Sequence, residues 1–373
     1  MRRYELEKER EGSTVYFFIR DVETLDIVLL PTKYLMHKIR SKCSPNTVRR
    51  SALAILYYLE YIHEKKKELT DVYQMPYVEQ TNHFVEFLYW LKAGKHTRDK
   101  NHRSPNNGTC NAYLRDVFRF YLFIEEEYQQ FGELKVLSYN YFVAVDAVGV
   151  KKSIRSKSFK GYLKEEEHKA RAAKKDEIVE ILKACTNIRD RLLMLLLAET
   201  GYRIGEILGI DYSKDIDYQN HIIRVYFRED NENGARAKNA EYRSAKISKD
   251  TFGFLNLYIA EYRKLLQHQT SLFVNISGDN IGKPMNVEAV YSMLKRMDKK
   301  TGIKITPHML RHYFGNERRK AGWSLELIQL AYGHRHIQTT INYLDIVDDE
   351  LLDTIQMIAT IMNGMQEEDA YGD

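Results

Sequence analysis

The sequence predicts a mainly α-helical protein with a small antiparallel β-sheet, and three observations carry that expectation. Apolar residues recur at helical spacing through long segments between 32 and 130. Alternating β-branched and aromatic runs, bounded by turn residues, occur near the N-terminus and again at 211–248. Between 150 and 172 the composition turns polar and basic, which separates two regions and predicts a domain boundary.

A length of 373 residues allows two or three domains, and a hydrophobic content of 44% is enough to build their cores. The net charge of +5 announces no partner in bulk; the basic residues are clustered instead. Cys43, Cys110 and Cys185 are odd in number and widely spaced, so they form no metal pattern and suggest free thiols in a reducing cytoplasm. No stretch is apolar for long enough to span a membrane, and the first ten residues, MRRYELEKER, hold no apolar signal region, so a cytoplasmic protein is expected. Repeats of solenoid period and low-complexity tracts are absent from the sequence.

Taken in order, residues 1–31 predict a short hairpin-like segment, from the runs Ser13–Ile19 and Leu25–Leu30. Residues 32–150 read as helical. Ser44-Pro45-Asn46-Thr47 begins one helix, on which Val48, Ala52, Ile55, Leu56, Leu59 and Ile62 share a face, and Arg49 and Arg50 lie near its start. Phe84, Phe87, Leu88 and Leu91 mark a second. After a basic, turn-rich stretch at 94–108, Asn111–Tyr128 forms a third, with Leu114, Val117, Phe120, Tyr121 and Ile124 inward. Residues 151–172 read as a basic linker.

In the segment 173–345, Asp176 caps a helix, and the continuous apolar run Leu192–Ala198 predicts a buried one. Strands are expected at His221–Phe227 and within 236–247, on either side of the turn Asp230–Gly234. Helices follow at Phe252–Leu266 and Val287–Met297. Within 346–373, Leu351, Leu352, Ile355, Ile358, Ile361 and Met362 recur at helical spacing behind Asp348-Asp349-Glu350, and an acidic tail closes the chain.

Two polar knots stand out in the second half. Thr306 can cap and Pro307 can open a helix on which His308 and Arg311, three residues apart, share a face. The planar fork of an arginine matches phosphate oxygens, and a helix N-terminus adds positive charge, so the pair suits a phosphate group. A surface helix with ordinary basic residues is the other reading of this pentapeptide alone. Further on, Gly333 suits the end of the Leu325–Ala331 helix, His334 follows it, and Tyr343 stands nine residues beyond. A tyrosine is more often core than catalyst, and the chain has 27, so Tyr343 stands out only by its company. A third element, Thr200-Gly201-Tyr202-Arg203-Ile204-Gly205-Glu206, closes the buried helix.

Together these elements resemble the tyrosine recombinases, the integrase family of DNA strand-exchange enzymes. His308-Met309-Leu310-Arg311-His312 matches the family's H-x-L-R-H, Tyr332-Gly333-His334 its L-G-H with Tyr in place of Leu, and Thr200–Ile210 its T-G-x-R-x-x-E box. The resemblance covers 176–345 by motif and 30–130 by layout, where the helices are similar to the DNA core-binding domain. It implies a mixed α/β catalytic domain with Arg203, Arg311 and His334 on a DNA phosphodiester and Tyr343 as nucleophile, forming a 3′-phosphotyrosine. It also implies His308 beside the phenol proton and a hairpin lysine, Lys238 or Lys246 with Lys238 the better match and Arg243 at the later basic position of its pattern, protonating the leaving 5′-oxygen. Glu206 reads as a brace. No metal or other cofactor is implied, in keeping with the lack of a P-loop or two-metal carboxylate cluster.

The implied partners are double-stranded DNA recombination sites, a homo-tetramer on DNA, and accessory DNA-bending or directionality proteins. The N-terminal hairpin is either an edge decoration or an extra DNA-binding arm, and the C-terminal helix either packs on its own domain or is exchanged between protomers. Two rivals are a type IB topoisomerase, disfavoured by that C-terminal helix, and a silent DNA-binding regulator, disfavoured because all six site positions are filled.

Overall fold

The computed structural model describes residues 2–12, 14–97, 104–128, 132–145, 149, 151–166, 171–226, 242–335, 337–341 and 344. The chain divides into two compact units, Met1–His168 and Lys169–Asp373. It is mainly helical with small antiparallel sheets, as the periodicity predicts.

In the first unit, β1 (Tyr4–Glu11) pairs antiparallel with β2 (Thr14–Asp21), and β2 buries Phe17 and Ile19. The apolar run Leu25–Leu30 is not the second strand expected. Ile27 makes only an isolated bridge with Arg20, and Leu29 opens α1 (Leu29–Arg40). Pro31 accounts for the difference: in the first turn of a helix its missing N–H has no partner to lose, and its fixed φ favours the helical start.

Next come α2 (Pro45–Glu64), α3 (Asp71–Gln74), α4 (Tyr77–Lys92) and α5 (Asn107–Glu127). Local chemistry starts the two longest. Ser44 accepts from the Thr47 N–H ahead of Pro45, and Asn106 accepts from the Thr109 N–H. The core they share is aromatic: the Phe84 and Phe118 rings meet edge-on at 4.7 Å. The buried Tyr58 hydroxyl lies 2.9 Å from both the His83 Nε2 and the Tyr121 hydroxyl, which keeps these polar tips paired.

The stretch expected as a linker from 151 begins instead with a strand. β3 (Tyr139–Val145) pairs antiparallel with β4 (Lys151–Lys157), and the following Phe159 is buried against Phe118, their rings 5.1 Å apart. The buried Phe159 anchors the end of this ribbon. The division between units falls after His168.

The second unit opens with α6 (Lys175–Ala184) and α7 (Ile188–Thr200). Asp176, expected as the cap, lies in the first turn of α6, two places beyond the N-cap Lys174. Asn187 caps α7, and the apolar run Leu192–Leu197 buries it. Then come α8 (Ile204–Ile207), β5 (Ile216–Asp217), β6 (Ile222–Val225) and β7 (Arg243–Lys246), with the three strands antiparallel in chain order. Val225 faces Arg243 across the β6–β7 ladder. Helices α9 (Lys249–Glu261), α10 (Arg263–Leu266), α11 (Val287–Thr301), α12 (Pro307–Lys320), α13 (Leu325–Tyr332) and α14 (Ile337–Ile341) complete it. Cys43, Cys110 and Cys185 are free thiols, and no described helix is long and apolar enough to cross a membrane.

Candidate active site

The site grows from the C-terminal end of α7. Gly201 ends that helix in the left-handed region (φ +64), and a Cβ there would stand 2.4 Å from the Phe314 ring, so both backbone and space demand glycine. Tyr202 turns inward and donates to the Ile223 carbonyl at 3.0 Å, which ties the turn to β6. Arg203 then occupies the N-cap of α8. Its backbone N–H donates to Glu206 Oε2 at 2.7 Å and its Nη1 to Oε1 at 3.1 Å.

Glu206 is buried and takes a second arginine. Arg243 of β7 forms an ion pair with it through Nη2, donates from Nη1 to the Ala331 carbonyl at 2.9 Å, and lies over the Tyr202 ring at 5.3 Å. Burial alone would raise the Glu206 pKa. The charge of Arg243, the Arg203 N–H and the charges of Arg203 and Arg311 outweigh it and hold the carboxyl below its usual range.

Arg311 reaches the same place from α12, where Thr306 caps by accepting from the Met309 N–H and Pro307 takes the first position. It is fully buried. It donates from Nη1 to the Gly201 carbonyl, from Nη2 to the Tyr332 carbonyl at 2.7 Å, and its Nη2 lies 3.0 Å from His334 Nε2. Burial, with the charge of Arg203 behind it, pulls its pKa down to about 10, so it stays charged at neutral pH. Tyr332 clamps it further. Its ring lies under the guanidinium at 4.2 Å, and its hydroxyl donates to the Arg311 carbonyl at 2.5 Å.

His334 follows Gly333, whose φ of +61 ends α13. Its Nδ1 lies 3.0 Å from the Thr340 hydroxyl. A guanidinium can only donate, so Nε2 accepts from Arg311 and the ring proton sits on Nδ1, towards Thr340. Burial first, then the nearby arginines, push the His334 pKa down to about 3, which leaves the ring neutral at pH 7. In this arrangement His334 is an acceptor, not the further donor expected from the sequence.

His308 is brought less close. It is exposed on the first turn of α12, its ring 5.1 Å from that of the buried His312. Lys246, the alternative hairpin lysine, is exposed on β7. Lys238 and Tyr343 lie outside the described residues. Of the six residues expected, Arg203, Arg311 and His334 therefore converge and His308 stands at the rim. Three guanidiniums around one carboxylate leave an excess of positive charge in a largely buried place, which suits an anion with delocalised charge. Sequence reasoning placed Arg243 in the hairpin-lysine pattern without giving it a role, missed Thr340, and took Tyr332 for simple packing.

Residues 171–350 match the phage integrase family. Over 368 residues, 93% of this chain and 94% of the relative, the sequence is 25% identical to transposase A of transposon Tn554 from Staphylococcus aureus. Over 175 residues, 47% of this chain and 52% of the relative, it is 33% identical to tyrosine recombinase XerA of Saccharolobus solfataricus. In fold it is similar to the Tn1549 transposon integrase in complex with transposon right-end DNA, with a TM-score of 0.59 at 19% identity over 88% of this chain and 98% of that one. A lambda integrase dimer bound to a core site gives a TM-score of 0.56 at 14% identity over 84% and 93%. The match over residues 171–350, with the likeness to XerA, supports reading this segment as the catalytic region of a tyrosine recombinase, an enzyme that cuts and rejoins DNA by way of a tyrosine.

Proposed function

We propose that this recombinase serves a mobile element, integrating and excising it at specific DNA sites through a 3′-phosphotyrosine intermediate. The observation that carries the proposal is the convergence of Arg203, Arg311 and His334 on one buried, positively charged place. The mobile-element assignment draws on likeness to a transposon transposase over 93% of the chain.

In this reading Arg203 and Arg311 hold the non-bridging oxygens of a phosphodiester and stabilise the charge that builds in the five-coordinate transition state. Tyr343 attacks phosphorus, and its proton passes towards His308. The phosphorus–O5′ bond breaks, and Lys238 protonates the leaving oxygen. When a phosphate takes the Arg311 N–H, His334 loses the donor its Nε2 accepts. The Thr340 hydroxyl can donate as well as accept, so the ring can exchange tautomer and offer Nε2–H to the phosphate. A free 5′-hydroxyl reverses the attack and rejoins the strand.

The helical first unit grips duplex DNA through its exposed arginines, and four protomers act on two sites. Leu327 and Leu330 of α13 are exposed, which supports an apolar covering segment. The apolar residues 351–362, outside the described residues, are the proposed cover, supplied by a neighbouring protomer.

Covalent trapping tests the proposal. The full chain is incubated with nicked duplexes from the DNA flanking its gene, in which the small cleaved fragment diffuses away. A protein–DNA adduct on a denaturing gel, absent in Tyr343→Phe, is expected. An adduct that survives Tyr343→Phe moves the nucleophile elsewhere; tight binding with no adduct on any flanking duplex sinks the catalytic reading.

A further inference from the structure

The resemblance places Arg243 at the later basic position of the hairpin-lysine pattern and gives it no role, yet it reaches into the site from β7. Its guanidinium bridges two parts of the site that are far apart in sequence. One nitrogen pairs with Glu206, the carboxylate that also holds Arg203 by side chain and backbone. The other donates to the carbonyl of Ala331, two residues before the turn glycine that precedes His334. The approach is close: a Cβ on Gly333 would stand 2.8 Å from Arg243 Nε. Its side chain is also nearly enclosed, 9% exposed against 25% for Arg203.

Building on the active-site reading above, we propose that Arg243 is a positioning residue for strand cleavage: from β7 it neutralises Glu206 and pins the turn that carries His334, so that one guanidinium sets both Arg203 and His334. Two separate properties of the side chain do this work. The charge keeps Glu206 ionised, and an ionised Glu206 accepts both Arg203 bonds. The fork geometry lets the same residue reach the Ala331 carbonyl.

Charge and fork can be separated. Arg243→Gln keeps donors but no charge; Arg243→Lys keeps the charge but not the fork. The groups facing Glu206 are Arg203 of α8, Arg243 of β7 and Arg311 of α12, with Tyr202 beneath Arg243. Burial is the largest influence on Glu206 and opposes its charge. Without the Arg243 charge, the Glu206 carboxyl is therefore expected to titrate higher than it does in wild type.

The first measurement is a ¹³C NMR pH titration of the full chain labelled at glutamate Cδ, with the Glu206 signal assigned by Glu206→Gln. The midpoint should rise in Arg243→Gln and stay below the ordinary 4.5 in wild type and Arg243→Lys. The second is single-turnover cleavage of the nicked duplexes above. Arg243→Gln should be slowed about tenfold or more near the new midpoint and recover as pH rises; Arg243→Lys should be slowed equally at every pH.

A Glu206 midpoint that is the same in Arg243→Gln as in wild type overturns the proposal, whether or not the protein cleaves DNA. So does a moved midpoint with a wild-type pH–rate profile. A merely structural role would slow both variants without any pH dependence tied to Glu206, and that too overturns it. Wild type that forms no adduct counts against the catalytic reading instead, and the titration still decides whether Arg243 governs Glu206.

Discussion

Each unit of this protein buries one carboxylate between two arginines, and the two arrangements point in opposite directions. In the first unit Asp116 of α5 is fully buried, with Arg50 Nε at 2.8 Å and Arg119 Nη1 at 2.6 Å. Those arginine side chains are 49% and 53% exposed, so Asp116 holds their inner edges and presents the rest to solvent. In the second unit Glu206 draws Arg203 and Arg243 inward, to 25% and 9% exposure, and Arg311 closes in behind them. One arrangement offers cations to whatever lies outside. The other stores positive charge in a place of low dielectric, where it acts strongly on a ligand and where losing the counter-charge is costly.

The largest expected effect follows from that cost. Glu206→Ala leaves enclosed guanidiniums without their carboxylate and should destabilise the protein by about 3 kcal/mol, the usual scale for breaking a buried pair. Asp116→Ala leaves two arginines that can turn to water, and about 1 kcal/mol is expected from the lost bonds. Urea denaturation of the two variants measures the difference. Equal losses, or a larger loss at Asp116, would mean that the exposure of the partners does not set the cost.

The packing behind Arg311 gives the next effect. A Cβ on Gly315 would stand 2.1 Å from the Tyr332 hydroxyl, the group that donates to the Arg311 carbonyl. Gly315→Ala should therefore cost about 2 kcal/mol by overpacking. Adding Tyr332→Leu, the residue type the family motif carries, removes the hydroxyl and should recover most of that cost. Additive losses in the double variant, read from thermal melts, would break the link between Gly315 and Tyr332.

Acid lability compares the units again. His83 in the first unit is pushed down to about 4, chiefly by burial, and His334 in the second to about 3, by burial and then by the arginines. The sign is the same for both. A depressed histidine pKa means that the folded protein prefers the neutral ring, so the contribution is complete above the ordinary 6.5 and is lost as pH falls towards the folded value. Stability should decline below about pH 6.5. His334→Asn should make the decline shallower, and raised salt should weaken the part of each shift that comes from charge, the arginines around His334 and Lys67 and Lys65 near His83. Melting temperatures against pH at two salt concentrations check this; an unchanged slope in His334→Asn would remove His334 as a source.

How much of this was legible beforehand depended on distance along the chain. The helix starts could be read because each cap is local: Ser44, Thr306 and Ser324 each meet an N–H three residues on. Arg203, Arg311 and His334 could be read because their motifs keep a fixed spacing to a glycine or a helix start. Arg243 could be read only as the later basic position of the hairpin-lysine pattern; what it holds could not, since its partners, Glu206 and Ala331, lie in other elements. Tyr332 could be recognised as a departure from the motif, but its grip on Arg311 appears only when α12 and α13 pack together. The run 151–157 was misleading for a different reason: charge reads as a solvated linker, yet the backbone of this run is paired with Tyr139–Val145. Lys238 and Tyr343 lie outside the described residues, so their part in the site rests on motif alone.

The smallest expected effect on stability is the one that tests the outward-facing half of the comparison. If Arg50 and Arg119 serve the proposed DNA grip of the first unit, each neutralises a phosphate and releases a counterion. Binding to a duplex of arbitrary sequence should then fall with salt, and Arg50→Gln or Arg119→Gln should each lower the slope of log affinity against log salt by about 0.9. Neither change should cost more than about 1 kcal/mol of stability, because half-exposed ion pairs contribute little. Arg243→Gln is the natural control: its side chain is enclosed, so it should leave the slope of non-specific binding where it was. A slope unchanged in both first-unit variants would make Asp116 and its arginines a brace for α2 and α5 alone, and the parallel with Glu206 would then be one of geometry without a shared use of charge.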